Sequence, residues 1–236
     1  MKLLVSVLDE IEAQEAVEGG VDIVDVKNPV EGALGASLPR IVEAVKKVVP
    51  KNVELSMAVG DAPDLPGTVS LAVLGAIQLG VDYVKVGLYG PRTIERAYCL
   101  MKEVCEVVKF YGPKTKIVLT GYADFRRVGC LSPQEILKVA EKVDIDVLMI
   151  DTKVKDGKSS FEFLDENELK SFTKKAHQMN LTVALAGSLS KNDVMKAGRI
   201  GVDIVGFRST VCGGDRINGR VQRKLVEELT QLVSKF

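Results

Sequence analysis

GVDIVDVK, at Gly20–Lys27, returns as GVDYVKVG at Gly80–Gly87 and as GVDIVGFR at Gly201–Arg208. Each copy begins on a glycine suited to ending a helix, runs through aliphatic residues and places polar ones at its far end. Side chains alternate between the two faces of a strand. Asp25, Lys85 and Gly206 therefore share one inward register, and Lys27, Gly87 and Arg208 share the next. Three cognate strands with charge gathered at their carboxyl ends predict a closed parallel barrel with an active site at one mouth.

The same rhythm extends along the whole chain. Periodicity predicts strands near Leu3–Val7, Ile23–Val26, Val53–Met57, Tyr83–Val86, Lys116–Leu119, Val147–Ile150, Thr182–Leu185 and Ile204–Phe207. It predicts helices near Glu10–Glu18, Leu38–Val48, Gly67–Leu79, Pro91–Phe110, Pro133–Lys142, Glu166–Met179, Lys191–Ala197 and Val221–Ser234. Ser37, Ser132 (with Pro133 at the first helical position), Asp165 and Ser190 read as N-caps, while Gly19–Gly20, Gly80 and Gly198–Gly201 read as helix stops. Strict alternation with no low-complexity linker fits one α/β domain over residues 1–236, a (β/α)8 TIM barrel. The rival, an open doubly wound sheet, seldom uses this many repeats.

Composition sets the bounds. Of 236 residues 46% are hydrophobic and only 5% aromatic, with no Trp, so the core must be aliphatic, as suits a parallel sheet covered by helices. Thirty-two basic residues balance thirty-two acidic ones, which leaves no global field to draw nucleic acid or an anionic membrane. The four cysteines show no metal-ligand spacing, and no structural disulfide is expected. The opening MKLLVSVLDE has too short an apolar run for a signal peptide, and no stretch is long enough to span a bilayer. The expectation is a cytoplasmic protein without metal or cofactor. Its oligomeric state stays open, with self-association allowed.

Function in such a barrel belongs at the carboxyl ends of the strands. Asp9, Asp25, Lys27, Asn28, Ser56, Lys85, Thr120, Tyr122, Asp151, Lys153, Lys155, Ser188, Arg208 and Ser209 fall there. The one histidine, His177, falls on a helix away from any strand end, which removes a histidine base, triad or metal site. A lysine inside a barrel loses hydration, and a neighbouring cation lowers its pKa further, freeing a neutral amine to attack a carbonyl. Lys27 and Lys85 fit that pair, with Asp25 and Asp151 as proton carriers and countercharges and Lys155 as a further candidate. An interior Lys–Asp network that only fills the mouth is the bland alternative. AGSLS and GFRST follow strands seven and eight, where Gly187, Ser188, Gly206 and Ser209 can bring backbone N–H groups to a phosphate and Arg208 can neutralise it. The Gly-rich loop Asn28–Gly35 is a second candidate for phosphate contact. The residues alone point to a Schiff-base aldolase or lyase acting on a small phosphorylated aldehyde.

VDVKNPVEGALGAS (Val24–Ser37), DYVKVGLYG (Asp82–Gly90), IDTKVKDG (Ile150–Gly157), LAGSL (Leu185–Leu189) and GFRS (Gly206–Ser209) together make the chain resemble the (5-formylfuran-3-yl)methyl phosphate synthases, an archaeal family of methanofuran biosynthesis. The resemblance runs over essentially the whole chain. It implies condensation of two glyceraldehyde 3-phosphate molecules to a furan aldehyde phosphate, with loss of water and one phosphate. It further implies Lys27 as the Schiff-base lysine, Lys85 as the proton-transferring lysine, and Asp25, Asp151 and Lys155 as supporting charges. Two other readings stand beside it: a class I aldolase for another phosphorylated aldehyde or ketone, and a non-catalytic barrel that binds a phosphorylated metabolite.

Overall fold

In the computed structural model, which describes residues 1–236, eight parallel strands pair in sequence order and the last closes onto the first. The strands are β1 (Lys2–Val7), β2 (Ile23–Val26), β3 (Glu54–Ala62), β4 (Tyr83–Leu88), β5 (Lys116–Tyr122), β6 (Val147–Asp151), β7 (Thr182–Leu185) and β8 (Ile204–Phe207). The helices are α1 (Glu10–Glu18), α2 (Pro39–Val48), α3 (Pro66–Leu79), α4 (Ile94–Tyr111), α5 (Phe125–Val128), α6 (Pro133–Ala140), α7 (Glu166–Gln178), α8 (Asp193–Ile200) and α9 (Arg223–Val233). This is the predicted (β/α)8 barrel, with one short extra helix, α5, after β5. No helix is long and apolar enough to cross a membrane.

Apolar side chains form two main bodies, beside a small third cluster of Ala33, Leu34, Ala58 and Tyr122. The larger, of 58 buried residues, lies between barrel and helices, where Leu3, Val24, Val84, Leu148 and Val205 meet α1, α4 and α9. The smaller fills the barrel with nine residues, among them Leu4, Ile23, Tyr83, Val118, Val147 and Ile204. Burying both faces of every strand is what makes the strands read as aliphatic runs. At the amino end Glu54 accepts from Lys2 at 2.5 Å, Lys116 at 3.0 Å and the Tyr83 hydroxyl at 2.9 Å, closing the barrel floor with a polar cluster.

A fourfold latch fixes the register. Asp22, Asp82, Asp146 and Asp203, each just before an even-numbered strand, accept the N–H of Leu3, Leu55, Ile117 and Val183 at 2.7, 2.8, 2.8 and 2.7 Å. Each carboxylate thus satisfies a donor near the start of the preceding odd strand. Asp146 reveals a fourth copy of the repeated phrase, Ile145–Asp151, in which the leading glycine and valine are replaced. Its Asp151 stands where the other copies carry Lys27, Gly87 and Arg208. His177 packs at this end too, with Nε2 2.8 Å from Asp203 Oδ2, in keeping with a structural role.

Several boundaries differ from expectation: β4 and β5 run on to Leu88 and Tyr122, and α4 begins at Ile94. β3 continues to Ala62 through a register shift between Ala58 and Asp61, which carries Asp61 out over the mouth. Ser37 does not cap α2, whose N-cap is Leu38. Ser190 does not cap α8 either: the helix begins at Asp193, whose carboxylate accepts the Ser190 N–H at 2.9 Å and its hydroxyl at 2.8 Å. Gly80 and Gly201 end their helices in the left-handed conformation as expected, with φ of 70° and 85°.

Candidate active site

Asp25, on β2, is the fixed point of the barrel interior. Its Oδ1 accepts from Ser56 Oγ of β3 at 2.9 Å, and its Oδ2 accepts from Ser6 Oγ of β1 at 2.9 Å and Lys85 Nζ of β4 at 2.6 Å. Asp25 and Lys85 are 0% and 1% exposed, so this pair sits in a region where an unpartnered charge would be very costly. Two hydroxyls and an ammonium, from three strands, hold the carboxylate in one orientation.

Lys27 lies one inward position further along β2, facing a cleft with Ser6, Lys85, Met149, Asp151 and Lys155 in its walls. It is buried, and its Nζ makes neither a hydrogen bond nor an ion pair, whereas Lys85 and Lys155 each hold a carboxylate. Burial is the chief reason its pKa falls to about 7; Lys85 and Lys155 add to the lowering, and Asp151 and Asp25 oppose it. A large fraction of Lys27 is therefore a neutral amine near neutral pH.

Asp151, at the end of β6, accepts the Lys155 ammonium and the Thr152 N–H, the latter at 2.7 Å. Burial works to raise its pKa, but the ammoniums of Lys155 and Lys27 outweigh it and hold the carboxyl below the usual range. The loop bearing Lys155 is itself anchored: buried Asp124 accepts the N–H groups of Lys153 at 2.7 Å and Val154 at 2.9 Å.

The expected phosphate loops border the same cleft, about 440 Å³ including its open mouth, which is walled in part by Gly187, Ser188, Gly206, Arg208 and Ser209. Gly187 and Ser188 take consecutive positive φ angles of 98° and 50°, and the N–H groups of Gly187, Ser188 and Leu189 bond to nothing in the chain. Such a run of turned N–H groups is a concave anion receptor. Gly187 is required there sterically as well, because a Cβ would stand 2.3 Å from Ser160 Oγ and 2.8 Å from Thr152 N. Gly206 sits deeper than expected: its Cβ would meet Ala186 Cβ at 3.1 Å and Leu4 Cδ2 at 3.4 Å, so it shapes the cleft floor.

Arg208 departs from expectation. All five of its N–H donors are taken within the chain: by the Glu12 carboxylate through both terminal nitrogens, by Ser6 O at 3.1 Å, by Arg216 O at 3.1 Å and by Gly219 O at 3.3 Å. Arg208 thus borders the cleft with no donor free for a ligand. It closes β8 onto α1 and draws in the loop 213–220. The cause is Glu12, a buried carboxylate in the first turn of α1 that needs a partner.

Two features escaped the sequence reading. Arg216, on that Gly-rich loop, borders the cleft and reaches across to the carbonyls of Pro29 and Gly32, each at 3.3 Å. Asp61, carried over the mouth by the β3 irregularity, accepts from the Tyr122 hydroxyl at 2.5 Å and the Ala33 N–H at 3.0 Å, and lies 3.4 Å from Lys153 Nζ. Burial and the Asp61 carboxylate hold the Tyr122 phenol well above its usual pKa. Its hydroxyl occupies the space over Gly87, where a Cβ would stand 2.2 Å away.

Residues 3–230 match the family described as 4-HFC-P synthase. A (5-formylfuran-3-yl)methyl phosphate synthase from Methanocaldococcus jannaschii is 48% identical over 233 residues, covering 98% of this chain and 99% of the relative. The chain belongs to the (5-formylfuran-3-yl)methyl phosphate synthase family. A synthase of the same name from Methanosarcina mazei is 49% identical over 229 residues, 97% of each chain. Among solved structures, 3-hexulose-6-phosphate synthase from Salmonella typhimurium superposes with a TM-score of 0.69 at 17% identity, covering 100% of this chain and 99% of that one. KGPDC from Streptococcus mutans gives 0.65 at 15% identity, covering 99% and 97%. Both establish the barrel fold and nothing finer. In this member of the furan phosphate synthase family one cleft thus brings together an unpaired buried amine, a lysine paired with Asp25, the Asp151 carboxylate and a loop of free N–H groups.

Proposed function

We propose that this chain condenses two molecules of glyceraldehyde 3-phosphate to (5-formylfuran-3-yl)methyl phosphate, within methanofuran biosynthesis, through a Schiff base on Lys27. The observation that carries the reading is Lys27 itself: buried, unpaired, shifted to about 7 and set between Asp151 and Lys85. The family membership names the product, and the site supplies a chemistry able to form it without histidine.

Lys27 Nζ adds to the aldehyde carbon of one triose. The carbinolamine hydroxyl takes a proton from a neighbouring ammonium and leaves as water, which gives an iminium. Loss of a proton from the adjacent carbon gives an enamine, whose carbon adds to the aldehyde carbon of the second triose and forms the carbon–carbon bond. Elimination of one phosphate, ring closure, dehydration and release of the amine by water complete the furan. By atom balance the two trioses yield one furan phosphate, one phosphate and two waters, with no external oxidant or reductant. Lys85, hydrogen-bonded to Asp25 at 2.6 Å, would give a proton to the departing carbinolamine hydroxyl and then accept the proton lost by the carbon acid.

Borohydride added during turnover with glyceraldehyde 3-phosphate should attach the reduced triose to the peptide containing Lys27, and the untrapped reaction should release inorganic phosphate with a furan chromophore. A trapped adduct with neither phosphate nor furan released would indicate a simple aldolase. No adduct at any lysine would refute the Schiff-base reading.

A further inference from the structure

Two clefts open at the carboxyl end of the barrel and share a wall. The inner one ends on Lys27 and Lys85. The outer one, about 1030 Å³ including its open mouth, lies between the loops after β6, β7 and β8, with Gly157, Ser190, Thr210 and Gly214 on its own side. Lys155, Ser188, Leu189, Ser209 and Arg216 belong to both walls.

The cations at this boundary are not equivalent. Lys155 is turned inward onto Asp151 and lies 3.2 Å from Thr152 Oγ1. Arg208 has no donor left. Arg216 forms no ion pair and commits only two of its five donors, to the Pro29 and Gly32 carbonyls. The hydroxyls of Ser188 and Ser209 beside it make no hydrogen bond in the chain. One carboxylate also faces the outer cleft, that of Asp215, but it is folded back onto its own loop, accepting the N–H groups of Ile217 and Asn218 at 2.9 and 3.0 Å and Asn218 Nδ2 at 3.1 Å.

We propose that the outer cleft is a second phosphate-ester site, with Arg216 as its receptor, and that it holds the phosphate of the second triose. The proposal rests on the reading that two phosphorylated trioses are joined here. A carbon–carbon bond requires the second aldehyde to touch the carbon activated on Lys27, so its phosphate must be held next to the first and not on top of it. The cradle at Gly187–Leu189 serves one phosphate, and the shared wall places another beside it. A planar guanidinium with free donors suits a dianionic phosphate ester, which it can meet with two parallel hydrogen bonds. Its tie to the carbonyls of Pro29 and Gly32 means that an occupant would also rest against the loop that follows Lys27.

Glycerol 3-phosphate tests this, because it carries the phosphate and has no carbonyl to form an imine. Calorimetric titration should count two molecules per chain in the parent protein and one in Arg216→Ala, with the lost site weakened by about tenfold or more, the scale of a missing bidentate charge-assisted contact. Arg216→Gln should behave like Arg216→Ala, and borohydride trapping of glyceraldehyde 3-phosphate on Lys27 in both variants verifies that the inner cleft is still formed. Condensation by the variants should need a correspondingly higher substrate concentration while the Lys27 adduct still forms. A single binding site in the parent, or two undiminished sites in Arg216→Ala, would overturn the proposal. If the parent bound two glycerol 3-phosphates but never formed a Lys27 adduct, the second site would stand and the Schiff-base reading would fall.

Discussion

Lys85 Nζ donates to Asp25 Oδ2 at 2.6 Å, and Lys85 lines the same cleft as the unpaired amine of Lys27. The two lysines therefore differ in kind. Lys85 has its countercharge in contact, whereas Lys27 has none and its pKa falls to about 7. The difference suits the proposed mechanism, with Lys27 as nucleophile and Lys85 handling protons.

That division predicts the behaviour of Lys85→Met. The variant should still trap triose on Lys27, yet fail to exchange the substrate C–H with deuterated solvent and fail to form the furan. Removing one member of a buried pair costs about 3–5 kcal/mol, so Lys85→Met combined with Asp25→Asn serves as the better-folded comparison. Furan formation near the parent rate in either variant would make Lys85 a structural charge.

Lys27 titrating near 7 sets the pH profile of adduct formation. The rate of trapping should rise with pH and level off above about 7, because only the neutral amine attacks. Asp151 raises the Lys27 pKa and Lys85 lowers it. The midpoint should therefore move down in Asp151→Asn and up in Lys85→Met. Equal midpoints in all three proteins would show that the titrating group is not Lys27.

Most of the barrel was legible because its signals are local: aliphatic strands, terminal glycines and the repeat GVD. The placement of Lys27, Lys85 and Asp25 in the barrel was legible for a related reason, since they sit on strands whose period of two fixes the side-chain direction. The fourth repeat copy was hidden because Ile145 replaces valine and no glycine precedes it, although Asp146 forms the same latch. Arg208 could not be assigned from its strand, because its partner Glu12 lies almost 200 residues away on α1. Asp61 depended on a strand irregularity, and Arg216 on a loop that no periodicity describes. Both were set by long-range contacts.

Burying an amine that titrates near 7 has a cost in stability with a definite pH dependence. The folded pKa lies below the unfolded value, so between about 7 and 10.5 the unfolded chain binds the extra proton and stability rises with pH. Below about 7 both states are protonated and the folded state bears the full cost of the buried charge. Lys27→Met should consequently abolish adduct formation and raise Tm, by more at pH 6 than at pH 10. A Tm that falls in Lys27→Met, or a gain that grows with pH, would contradict the burial of a strained amine at this position. Such an exchange of stability for activity is common where a site must hold a group away from its preferred state.

Arg208 and Glu12 give the last prediction. Arg208→Ala leaves the Glu12 carboxylate at 1% exposure with its main partner gone, and only the Leu8 N–H at 2.9 Å and the Arg220 Nε at 3.4 Å remain near it. The loss should be about 3–5 kcal/mol, the range for a broken buried pair. Pairing Arg208→Met with Glu12→Gln removes both charges and should recover a large part of it, and chemical denaturation of the four proteins of this cycle measures the coupling. Activity separates the structural role from a direct one. The carbonyls of Arg216 and Gly219 accept from Arg208, so its loss releases the loop that carries Arg216 and should weaken glycerol 3-phosphate at the outer cleft. The Gly187–Leu189 cradle, which owes nothing to Arg208, should bind its phosphate much as before. If the doubly neutral variant recovered stability but lost the inner phosphate, Arg208 would act on the substrate directly and its five internal bonds would have to open on binding.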